Sequence, residues 1–292
     1  MNRKITAIGE VLADLGEGPS WLESASQLYW VDINKGLIHI HDPATSSNRM
    51  LDVGFKVGAA VPRQAGGLVL ATVNGFYFID TDTGHLSFIH DPESDVTGNR
   101  FNDGKCDAAG RFWAGTMGLT GQKGTGALYC LDTDLTVRKV IDNITCSNGL
   151  AWSADNKTMY YIDSPTKQVV AYDYDLAAGE ISNGRVAVQI EDNTGVPDGM
   201  TIDDEGMLWV AQWGGHQVSR WNPATGEKLG MLPIPATQVT SCVFGGPRLD
   251  TLYITSARTG LNEQALAAEP LAGSLFRAVP GVRGTATMLF GG

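Results

Sequence analysis

A chain of 292 residues with 21 basic and 32 acidic side chains carries a formal charge of −11; it repels polyanions and lacks the basic patch that phosphate neutralisation requires, which excludes nucleic acid as a partner. No stretch approaches the ~18 apolar residues of a membrane span, and the N-terminal MNRKITAIGEVLADLGEG has no uninterrupted apolar run of the signal-peptide kind. A soluble protein with no membrane partner is expected. Its cysteines, Cys106, Cys130, Cys146 and Cys242, form no CxxC pair, which fits reduced, mostly buried thiols and a cytoplasmic location.

Along the chain one unit recurs: an apolar end, a polar turn and an apolar run of strand type. It is read in WLESASQLYWVD from Trp21, VPRQAGGLVLAT from Val61, CDAAGRFWAG from Cys106, WSADNKTMYYID from Trp152, IDDEGMLWVA from Ile202 and FGGPRLDTLYIT from Phe244. The centres of the second runs fall at Trp30, Leu70, Trp113, Tyr161, Trp209 and Tyr253, in steps of 40, 43, 48, 48 and 44 residues. A third alternating run follows most centres, as in LIHIHDPAT and GALYCLDTD. Four antiparallel strands per unit, repeated radially, leave short protected edges, so the expectation is an all-β, six-bladed β-propeller occupying 1–292 as one domain. The ring must close, with either KITAIGEVL near the N-terminus or TATMLF near the C-terminus as the last blade's outer strand. A helix-like LNEQALAAEPLAG, broken by Pro270, reads as an insertion in a loop of that blade.

In a propeller the first strand of each blade lines the channel, so equivalent positions converge on the axis. Four residues before the segment starts stand Glu17, Val57, Asn102, Asn148, Asp198 and Thr240, and four of the six carry a carboxylate or carboxamide. Any one of them, in NDG, SNG or PDG, reads as ordinary turn chemistry. Four in phase read differently: such groups are costly to bury near an axis unless something satisfies them together, and carboxylate and amide oxygens make a hard-cation shell. The following residues, Gly18, Gly58, Asp103, Gly149, Gly199 and Ser241, are mostly small, as strands crowding an axis demand.

The loop after each second strand opens on the same face. Those loops include GTMGLTGQKGTG (115–126), either a lid or a plain solvent loop, and WGGH (213–216), whose Trp213 offers a flat wall for a sugar-sized ring. Arg100, two residues before Asn102, points the same way in extended chain and either aims its cation at a ligand or pairs with a surface acid. His39 and His41, on a third strand, are expected on a solvated face, and His85 and His90 also fall away from the aligned positions.

The stretches LGEGPSW (15–21), NRFNDGKCDAAGRFWAGTM (99–117), CSNGLAWSADNKTMYYIDS (146–164), PDGMTIDDEGMLWVAQWGG (197–215) and FGGPRLDTLYITSA (244–257) resemble, in order, the regucalcin, gluconolactonase and luciferin-regenerating-enzyme family. That resemblance implies a propeller holding one divalent cation in its channel, with many members hydrolysing sugar lactones. It implies Glu17, Asn148 and Asp198 as metal ligands, Asp198 as general base, and Arg100 and Asn102 as substrate contacts; Met117 and Trp213, from the loops on the same face, are expected to line the apolar side. Calcium, zinc, manganese, magnesium and iron all suit such an oxygen set. Where some members carry a glutamate pair after GTM, this chain has Gly118 and Leu119.

The expected function is a metal-dependent hydrolase opening small-molecule sugar lactones. Its rivals are a non-catalytic propeller that binds calcium or a small molecule as a regulator, and an esterase acting on organophosphates or aryl esters. Propellers host many functions, so the fold alone does not choose among them.

Overall fold

The computed structural model describes residues 4–292. Six four-stranded antiparallel sheets stand around an axis. The first blade is β2 (Gly16–Leu22), β3 (Gln27–Asp32), β4 (Leu37–Asp42) and β5 (Ser47–Asp52); the second is β6 (Val57–Pro62), β7 (Leu68–Thr72), β8 (Gly75–Ile79) and β9 (Leu86–His90). The third comprises β10 (Asn99–Cys106), β11 (Phe112–Gly118), β12 (Gly126–Leu131) and β13 (Val137–Ile144), and the fourth β14 (Ser147–Trp152), β15 (Thr158–Asp163), β16 (Gln168–Asp175) and β17 (Glu180–Gln189). The fifth has β18 (Val196–Ile202), β19 (Leu208–Trp213), β20 (Gln217–Asn222) and β21 (Glu227–Pro233). In the sixth, β22 (Val239–Gly245), β23 (Thr251–Ser256) and β24 (Leu275–Ala278) are joined by the N-terminal β1 (Thr6–Ile8).

The ring therefore closes at the N-terminus: Thr6, Ala7 and Ile8 pair with Arg277, Phe276 and Leu275. Alternation decides it, because Ile5 and Ala7 pack on the core between the fifth and sixth blades while Ile8 and Val11 pack on the core between the sixth and first. The C-terminal run does a different job. Gly284 bridges Asp203 of the fifth blade and Phe290 bridges Arg63 of the second, so the segment straps across one end of the molecule. Phe290, fully buried against Phe78 and its neighbours, pins the strap.

The core is divided rather than central. Six apolar clusters fill the six gaps between neighbouring blades; Trp21 stacked on Tyr253, for example, joins the first blade to the sixth. Among the recurrent tryptophans, Trp113 and Trp209 donate their ring N–H to Asp107 and Asp203, each at 2.9 Å, and these aspartates also cap the turn that precedes the second strand. The short helix α1 (Glu263–Ala268) lies between β23 and β24, where the insertion was expected.

One expectation is overturned. His39 and His41 are 1% and 4% exposed, not solvated. In a blade the third strand is covered on both faces by neighbouring blades, so alternation along it does not mark a wet side. His39 stacks on Trp30 with ring centres 4.0 Å apart, and burial pushes its pKa down to about 4. His85 and His90 are exposed and away from the axis.

Candidate functional site

All six innermost strands are buried along almost their whole length, as strands enclosed by a ring must be. Each one breaks register once, between Glu17 and Ser20, Val57 and Ala59, Phe101 and Gly104, Ser147 and Leu150, Pro197 and Met200, and Val239 and Ser241. A bulge re-aims the side chains beside it, and here it falls in every blade on the phase picked out from sequence. The small residues that follow are required by crowding: a Cβ at Gly149 would lie 2.8 Å from the carbonyl oxygen of Asp198, and one at Gly58 would strike that of Asn102.

Glu17, Asn102, Asn148 and Asp198, from four different blades, are all at most 5% exposed. Asn102 donates from Nδ2 to the Ser147 carbonyl at 2.7 Å and to Asn148 Oδ1 at 3.1 Å. Asn148 in turn gives its own Nδ2 to Ser164 Oγ at 2.8 Å, which turns its oxygen toward Asn102. Arg100 is 8% exposed and donates to Asn102 Oδ1 at 2.6 Å and to the Phe101 carbonyl at 2.9 Å. It forms no ion pair among the described residues, so the surface pairing weighed from sequence is not what it does.

Glu17 and Asp198 stand within hydrogen-bonding reach of each other. Burial, together with the nearby Asp103 carboxyl, pushes Glu17 up to about 8. Asp198 is raised well above the usual carboxylate range, first by burial and then by the charges of Glu17 and Asp103. Three buried acids facing one guanidinium, Arg100, and the Lys105 ammonium beside Asp103 cannot all ionise, and a divalent cation is the partner that would let them. Among the described residues no three His, Cys, Asp or Glu side chains converge as a metal-holding cluster, so a cation here would rest on a mixed set: the two carboxylates and the Asn148 carboxamide. Those three side chains offer oxygens alone, and burial raises the neighbouring Cys146 thiol to about 12. The residues present thus fit a hard divalent ion.

Met117 and Trp213, both half-buried, are the penultimate and the last residue of their second strands; Met117 bridges to Cys146 and Trp213 to Gln238 of the sixth blade. Gly118 completes β11, and Leu119 beside it is 45% exposed. Sequence reasoning passed over Asp103, a third buried acid. Its signal was there: an aspartate in a row otherwise of Gly and Ser. Further along the same strands a cavity of about 230 Å³, lined by Asp103, Lys105, Trp152 and strap residues 285–288, opens at the other end of the channel.

Such a fold and site define a six-bladed propeller with a polar, oxygen-rich axial pocket. Residues 15–258 match the family described as SMP-30/Gluconolactonase/LRE-like region, and the chain belongs to that family. It is 40% identical over 266 residues to the Bacillus subtilis protein YvrE, provisionally named a sugar lactone lactonase, covering 91% of each chain. A solved luciferin-regenerating enzyme superposes with a TM-score of 0.94 at 34% identity, covering 99% of this chain and 100% of that one. A calcium-binding regucalcin from Agrobacterium tumefaciens does so with 0.93 at 29% identity, covering 99% and 96%.

Proposed function

We propose that this protein is a metal-dependent hydrolase of sugar lactones. The observation that carries the reading is the pair of buried carboxyls, Glu17 and Asp198, brought together with the Asn148 carboxamide from three blades and flanked by Arg100. YvrE's name and the family's point to the same chemistry. Glu17, Asn148 and Asp198 would hold the ion, which when bound supplies Lewis-acid polarisation of the lactone carbonyl.

The chain's own residues do the rest. Asp198 takes a proton from the attacking water as its oxygen bonds to the carbonyl carbon; the ring C–O bond then breaks, the ring oxygen receives a proton, and a hydroxy acid leaves. Arg100, its guanidinium fixed by Asn102 and the Phe101 carbonyl, has N–H groups left for the oxygen on which charge grows, or for the product carboxylate. Asn102 steadies that arginine and orients ring hydroxyls. Met117 and Trp213 line the apolar side. With Gly118 and Leu119 in place of acids, this mouth suits lactones that do not need a carboxylate over the ring face.

Acid release from a panel of 1,5- and 1,4-sugar lactones, followed in chelator-stripped protein with and without added Ca²⁺, Zn²⁺ or Mn²⁺, tests the reading. Metal-dependent turnover above spontaneous hydrolysis, absent in Asp198→Ala, is the expected result. Folded protein that takes up metal but opens no lactone would instead favour a calcium- or small-molecule-binding regulator.

A further inference from the structure

The second strand of each blade ends beside the point where the first strand enters the channel. In three blades that end carries a carboxylate or carboxamide side chain. Asp32 pairs in register with Gly16, Asp163 with Ser147 and Gln212 with Pro197; each partner is the residue immediately before Glu17, Asn148 or Asp198.

All three side chains grip the segment leading into that position. Asp32 accepts the backbone N–H groups of Asp14 and Leu15 at 2.8 and 3.1 Å. Asp163 accepts those of Thr145 and Cys146 at 3.1 and 2.8 Å. Gln212 works with the opposite polarity, donating from Nε2 to the Thr194 carbonyl at 2.7 Å and to its hydroxyl at 2.9 Å, while its own oxygen is held by Gln217. The other blades lack this grip. At the same register position Thr116, opposite Phe101, meets the side chain of Glu93, and Ser256, opposite Val239, donates to the Ser274 carbonyl; in the second blade Val73 has only its backbone N–H on Lys56.

We infer that Asp32, Asp163 and Gln212 are positioning residues for the axial ion, each fixing the backbone that presents one ligand; this rests on the metal reading above. The physical need is plain. Asn148 and Asp198 sit inside their bulges without a ladder partner, and Glu17 stands at the edge of its own, opposite Val31, so the strand ladder holds the three only in part. A side-chain clamp two to four residues upstream removes the freedom that an interrupted ladder leaves.

The test is calorimetric titration of the full chain with Ca²⁺ and Mn²⁺, alongside melting of the metal-free protein. Asp32→Asn, Asp163→Asn and Gln212→Leu are compared with Asp203→Asn, a buried aspartate that caps a turn and a tryptophan in the fifth blade without touching a ligand segment. The three positioning variants are expected to bind the ion about ten- to a hundred-fold more weakly, the range for groups that orient metal ligands, whereas Asp203→Asn lowers the melting temperature and leaves affinity unchanged. Should one variant fail to fold, the other two carry the comparison, since each acts in a different blade. Wild-type binding with unaltered variants, or an equal loss in Asp203→Asn, overturns the positioning role alone. A wild type that binds neither ion overturns the metal reading and this inference together.

Discussion

Glu17 and Asp198 set the residue-scale behaviour. With a folded pKa of about 8 against an ordinary value of 4.5, Glu17 in the metal-free protein holds a proton that the unfolded chain has lost. The folded state then binds more protons across that window, so stability falls as pH rises from about 4.5 toward 8. Melting of metal-free protein should therefore drop over this range, and added divalent ion should remove the drop; a flat profile without metal would count against the shared-proton pair. His39 acts with the opposite sign: its depressed pKa takes stability away as pH falls from 6.5 toward about 4. Asp198→Asn makes a sharper case. It is expected to cost at least about a hundred-fold in turnover, the range for loss of a general base, yet to leave the metal-free protein as stable as wild type or more so, because it removes a buried acid whose ionisation both burial and Glu17 oppose.

At the scale of elements, the aspartate that ends the first strand's turn is the stabiliser. Asp203 accepts from Glu205 N, Met207 N and Trp209 Nε1 and meets Arg220 at 2.7 Å. Asp203→Ala leaves a buried indole N–H and an arginine short of a partner, and should cost about 3–5 kcal/mol in denaturant unfolding. Its phase-mate Asp107, bound to Trp113, Arg111 and Tyr174, predicts the same for the third blade. These spacings were legible in CDAAGRFW and IDDEGMLW. The histidines of LIHIHD were not, because alternation signals a wet face only where one side of a sheet meets water. In a propeller the third strand meets protein on both sides, and His39 found a tryptophan face instead.

Across the whole molecule the ring is held by side-chain packing between blades, by single bridges such as Met117–Cys146 and Trp213–Gln238, and by the strand pairing that closes it, β1 on β24. Deleting residues through Ile8 should bare the edge of β24 and lower the melting temperature, with aggregation on heating, since an unpaired edge templates further strands. The C-terminal strap adds a second tie. Phe290→Ala is expected to cost about 3–5 kcal/mol, and unchanged lactone turnover in the folded variant would place the strap's role in stability, at the far end of the channel from Glu17, Asn148 and Asp198.

Period, strand type and phase were properties of the chain itself. A repeat that no single blade can stabilise alone must stack, and residues at one phase of such a repeat must meet at its axis; hence Glu17, Asn102, Asn148 and Asp198 could be set apart before any fold was seen. What the tertiary structure decided is everything that depends on partners distant in sequence: which terminus sealed the ring, that Arg100 lies against Asn102 rather than a surface acid, and that Asp103 joins the buried acids. It also settled that Asp32, Asp163 and Gln212 reach the segments ahead of Glu17, Asn148 and Asp198. Sequence spacing fixes the face a side chain occupies within its own strand, whereas burial, proton affinity and hydrogen-bond partners are set by the neighbours that only the closed ring supplies.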